Sequence, residues 1–160
     1  MDPTVTRDTP DSVPSSSWDS PLLLDGADFL HFSKEDGARR ERLAKAVGAL
    51  GLDLTTVVRQ STDTLSRARA VGLTTISWIS REQLDLLVLE SRGAKPDRQD
   101  AALLARVHPA GAGVSVRFLG KRDDPLLWAA DIVASATFQA LAPGVPAYLE
   151  SLGQVERVDY

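Results

Sequence analysis

Cysteine is absent from all 160 residues. That removes disulfides, thiolate catalysis, zinc ribbons and iron–sulfur ligation together. No run approaches the roughly eighteen uninterrupted apolar residues that a membrane span needs, so no membrane role is expected. The N-terminus has no apolar core behind a basic head, so export is not expected either. The composition suits a cytosolic, cytoplasmic protein. What is present is ordinary for a soluble globular chain: 43% apolar and 25% charged residues, in a length of about one domain. The formal net charge is −4. Residues 1–20 hold Asp2, Asp8, Asp11 and Asp19 against Arg7, a net of −3, which leaves the remainder near −1. A nearly neutral body argues against a broad basic surface for duplex nucleic acid. It leaves room for a small catalytic cleft.

Four of the nine prolines fall in residues 1–21, beside Ser15-Ser16-Ser17 and almost no aliphatic side chains. Such a segment buries too little apolar area to offset its ordering entropy, so it reads as a disordered tail. Residues 22–160 read as a single α/β domain. Ser33 followed by Asp36 resembles a capping box with Asp in place of Glu or Gln, opening a helix that runs through Leu50 on a Leu43, Val47, Leu50 stripe. Leu52–Gln60 reads as a strand from its β-branched content. Thr62–Ser80 reads as a helix, with Thr74, Thr75 and Ile76 favouring strand as the alternative. Asp85–Glu90 carries a short apolar run suited to a strand buried on both faces.

A loop at Ser91–Lys95 then leads to Pro96 in the first turn of a helix that runs to Val107. His108–Gly113 forms a turn and Val114–Leu119 a strand. Asp124 and Pro125 announce a helix to about Leu141, which Pro143, Gly144 and Pro146 end. A short helix and a strand at Val155–Asp159 close the chain. Strands alternating with helices imply an α/β sandwich on a largely parallel sheet.

Three places could carry chemistry. The helix after Pro125 holds a single charge, Asp131. At about 100° per residue, Asp131 shares a side with Leu127, Ala134, Phe138 and Leu141. A carboxylate on an apolar stripe needs a cation, hydrogen-bond donors or a proton, because burying it unpaired costs several kcal/mol or more. The alternative is that it leans into solvent or binds a nearby Arg. Glu90 stands at the carboxyl end of an apolar strand, where open α/β sheets bind ligands. Alternatively it pairs with Arg92 or Lys95. His31–Asp36 sets an imidazole, an ammonium and two carboxylates around a helix N-terminus, where capping and the helix dipole already account for Glu35 and Asp36. Spacing selects Asp36 as the inward member, on the side of Leu43 and Val47.

Other signatures fail. Gly111-Ala112-Gly113 lacks a third glycine and leads into a strand, so the dinucleotide fingerprint is not met. No Gly-x-Ser-x-Gly elbow exists, and the two histidines have no triad context. Trp78 and Trp128 lie in helical apolar patterns and read as core.

Three stretches together resemble a known family. Leu30-His31-Phe32-Ser33-Lys34-Glu35-Asp36-Gly37-Ala38-Arg39-Arg40 looks like its His-Phe-x-Lys-Glu segment and Arg-rich helix. Leu87-Val88-Leu89-Glu90-Ser91-Arg92 looks like its strand ending in an acid, then Ser-Arg. Asp124-Pro125-Leu126-Leu127-Trp128-Ala129-Ala130-Asp131 looks like its Pro-Leu-Leu-Trp-x-Ala-Asp helix. The family is a bacterial domain of unknown function with an expected ribonuclease H-like fold, and the resemblance spans roughly residues 29–141.

The resemblance implies a ribonuclease H-like sheet with flanking helices. It also implies a metal-dependent nuclease in which Glu35, Glu90 and Asp131 are both the catalytic acids and the metal ligands. The implied cofactor is Mg or Mn, suited to an all-oxygen site hydrolysing phosphodiesters, and nucleic acid is the implied partner. Glu90 departs from the family's more usual Asp by one methylene. The larger departure is at the front, where the family's opening strands and their acid are missing. A sheet lacking them exposes an edge. The alternative expectation is therefore a non-catalytic interaction module that pairs through that edge, as a homodimer or with a partner protein.

Overall fold

The computed structural model describes residues 31–58, 70, 72, 74, 85–107, 114–142 and 144–159. The expected tail, most of the Thr62–Ser80 helix, Trp78 and the His108–Gly113 turn lie outside the described residues. Ala70, Gly72 and Thr74 are helical, in keeping with the helical reading of that stretch.

The described chain begins with a 3₁₀ turn at Phe32–Lys34, then α1 (Gly37–Gly48) and β1 (Leu54–Val58). After β2 (Leu86–Glu90) come α2 (Ala94–Val107) and β3 (Ser115–Leu119). The chain continues with α3 (Leu126–Leu141), α4 (Ala147–Leu152) and β4 (Val155–Asp159). The chain is mixed α/β, and both strand pairings are parallel. β1 pairs with β4, from Leu54 opposite Val155 to Val58 opposite Asp159. β2 pairs with β3, from Leu86 opposite Ser115 to Glu90 opposite Leu119. Parallel neighbours need a crossover between them; α2 supplies it for β2 and β3. Instead of the one expected sheet, the described strands form two separate two-stranded sheets.

Local chemistry explains the boundaries. Asp36 is the N-cap of α1, its Oδ1 accepting from Arg39 N–H at 2.8 Å. Ser33 lies in the 3₁₀ turn, so the expected capping box is replaced by a single Asp cap. Asp36 is exposed, which corrects its assignment as the inward acid. Asp124 does act as expected: its Oδ1 accepts from Leu126 N–H at 2.9 Å as α3 begins. Past the end of α3, Gly144 takes a φ of 71° that a side chain would resist.

The main core joins Phe32, Leu43, Ala44 and Val47 to Trp128, Ala129, Ile132, Val133, Ala136 and Leu152. Leu54, Tyr148 and Val155 pack against it. It therefore lies among α1, α3 and α4, beside the β1–β4 pair. Phe32 meets the Tyr148 ring edge-on at 5.7 Å between centroids.

Two further expectations are overturned. β2 is not buried on both faces: Leu86 is exposed and Leu87–Glu90 are half-buried. On α3, the side chosen from sequence is not the buried one, since Phe138 is 63% and Leu141 44% exposed. The helix instead buries Trp128, Ile132 and Ala136, because two flanking helices and the 3₁₀ turn pack on that side.

Candidate functional site

β2 and β3 run in register, so their carboxyl ends lie side by side. Glu90 is the last residue of β2, opposite Leu119. The strands stay tied just beyond, where Ser91 N–H donates to Leu119 O at 2.7 Å. Gly120–Asp123 then forms a closed turn. Gly120 N–H donates to Asp123 Oδ2 at 2.8 Å, and Asp123 N–H donates to Gly120 O at 2.9 Å.

This turn positions Lys121. Its Nζ lies 3.3 Å from Asp131 Oδ2 and 3.9 Å from Glu90 Oε2. The lysine side chain is only 11% exposed, against 32% for Asp131 and 37% for Glu90. The cation is the inner member, and two acids from different elements lean over it. Two of the three predicted site acids therefore share one ammonium.

Glu35 is engaged elsewhere: Arg39 Nε lies 3.0 Å from its Oε2, one helical turn along the chain. The neighbouring arginine, Arg40, holds the 3₁₀ turn by donating from Nε to Phe32 O at 3.0 Å and from Nη2 to Ser33 O at 2.7 Å. The basic residues after Glu35 thus fasten the entrance to α1.

The loop after Glu90 is also built from acids. Asp97 accepts from Ser91 Oγ at 2.6 Å and from Arg92 N–H at 2.9 Å. Ser91 Oγ accepts in turn from Gly93 N–H at 3.2 Å, and Gly93 takes a φ of 100°. Arg92 Nη2 reaches Asp100 Oδ2 at 3.3 Å. The alternative expectation paired Glu90 with Arg92 or Lys95; the ion pair described at Glu90 is with Lys121.

Lys121 was missed in the sequence reading, although a signal for it exists. In parallel pairing, a residue just past the end of one strand lies near the end of its neighbour, so Leu119-Gly120-Lys121 points to Glu90 once β2 and β3 are paired. Asp100 and Asp97 were also missed; they sit three residues apart on α2 and face one loop.

The expected Mg or Mn site can be tested against these donors. Among the described residues, no group of three or more His, Cys, Asp or Glu is placed to hold a metal ion. An ammonium stands between Glu90 and Asp131, and Glu35 faces a guanidinium. The described donors, so arranged, do not fit the implied metal centre.

A second feature lies along β1. A groove of about 460 Å³ runs between this strand and α3, lined by Leu54, Thr56, Leu126, Ala130, Val133 and Ala134 among others. Comparison of the chain with family models, curated proteins and solved structures finds no match in any of them.

Proposed function

We propose that this chain is a ribonuclease H-like α/β module that works by pairing rather than by cleavage. It is a non-catalytic interaction domain that takes a second copy of itself, or a partner protein, along an open strand edge. One observation carries this reading. β1 and β2 both contact α3 yet do not pair with each other, and α3 leaves Leu126, Phe138 and Leu141 exposed. Strand edges that have no ladder partner among the described residues, beside apolar surface, are a template for another chain. The three stretches that resemble the ribonuclease H-like family support the ancestry. Light scattering on the purified chain tests the pairing. A stable dimer or larger assembly is expected, and a strictly monomeric, well-folded protein that captures no partner strand would overturn it.

A second reading, a Mg- or Mn-dependent nuclease acting on nucleic acid, is favoured by the convergence of Glu90 and Asp131 at the strand ends. Cleavage of RNA, DNA or hybrid in the presence of either ion, lost in Asp131→Asn, would establish it and displace the first.

A further inference from the structure

Lys121 is unusual for a surface ion pair because the cation is the buried partner. A protonated amine held at 11% exposure loses most of its hydration, a cost that neighbouring carboxylates must offset. Here two acids do so, from the end of β2 and from α3. The turn that carries the lysine is closed at both ends by Gly120 and Asp123, so the ammonium is delivered by a braced support. A divalent ion placed among the same oxygens would need them at about 2.0–2.6 Å. It would also meet the lysine's charge at short range, where repulsion is strongest.

We propose that Lys121 is a tethered counter-ion occupying the seat that the Glu90–Asp131 pair would otherwise offer a divalent metal. It joins the ends of β2 and β3 to the second turn of α3 without any exchangeable ion. This inference stands on the local geometry, and it is independent of whether the chain pairs with a partner.

The test is thermal unfolding and Mn²⁺ titration of the intact chain, wild type against Lys121→Met and the double variant Lys121→Met/Asp131→Asn. Wild type is expected to melt at the same temperature in millimolar Mn²⁺ and in EDTA. Lys121→Met is expected to melt lower, to recover in Mn²⁺, and to bind that ion at least about tenfold more tightly than wild type. The double variant should lose the gain. Two results would overturn the proposal: a Mn²⁺-dependent rise in the wild-type midpoint that Glu90→Gln or Asp131→Asn removes, or a folded Lys121→Met protein indifferent to Mn²⁺. Should Lys121→Met fail to fold, the wild-type comparison in Mn²⁺ and EDTA decides alone.

Discussion

From the β2–α2 loop, Arg92 sets its Nη2 3.3 Å from Oδ2 of Asp100 in α2, a residue only 1% exposed. The second carboxylate oxygen, Oδ1, is buried with no hydrogen-bond partner among the described residues. Arg92 is therefore the cation that makes this burial tolerable. Removing it as Arg92→Met should destabilise the fold by about 2 kcal/mol, the scale of a lost hydrogen bond to a charged group. Urea unfolding measures this. An unchanged midpoint would show that Asp100 does not depend on Arg92.

Gly48→Ala sets two effects against each other. Alanine is the better helix former by about 1 kcal/mol, yet a Cβ here would stand 2.6 Å from Leu152 O and 2.9 Å from its carbonyl carbon. Backbone cannot yield as a side-chain tip can, so overpacking at about 1–3 kcal/mol wins. The variant should melt below wild type, and a higher midpoint would show that α1 and α4 separate cheaply.

Asp36→Ala removes the cap that Arg39 N–H uses. A loss of about 1 kcal/mol is expected, together with fraying of the first turn of α1 seen as reduced amide protection at Ala38 and Arg39. Asp36→Ser should restore most of it.

Lys45 donates a 2.7 Å hydrogen bond to Glu41 Oε1, and with its charge holds the Glu41 carboxyl below its ordinary value. A lowered folded-state pKa contributes stability above the ordinary carboxylate range and loses it as pH falls through the lowered value. The pair is open to solvent, where screening leaves little. Glu41→Gln should therefore leave the neutral-pH midpoint nearly unchanged and slightly flatten the acid limb of the stability curve.

If the exposed apolar side chains of α3 flank the strand edge at which pairing occurs, Leu126→Asp and Phe138→Asp should dissociate the assembly while leaving the melting temperature of the folded unit close to wild type. Both side chains are at least half exposed, so neither change opens the core. Retained association in both variants would move the contact elsewhere.

Much of the architecture was legible from local signals. Val155–Asp159 as a terminal strand and Asp124 as a cap for α3 depend on nearby residues alone, and the structure agrees with both. The face of α3 was not legible, because Trp128, Ala129, Ile132 and Val133 are as apolar as Leu127, Phe138 and Leu141. On a helix with so few polar side chains, periodicity cannot say which side finds neighbours. Of the site, Asp131 was found from the cost of placing an acid among apolar residues, and Glu90 from its place at the carboxyl end of an apolar strand. Lys121 was hidden because a lysine in a turn looks solvated until β2 and β3 are paired. Glu35 entered through the resemblance, and its local partner Arg39 is the ordinary helical spacing.

The two strand pairs share no ladder, and the main core lies on the β1–β4 side. Among the described residues, α2 contributes Leu104 and Asp100 as fully enclosed ones. Unequal enclosure of this kind divides a domain into cooperative units that open at different free energies. Amide deuteration should therefore proceed in two waves, α2 with β2 and β3 first and α1 with α3 later. A ligand seated on the earlier half would slow that first wave alone.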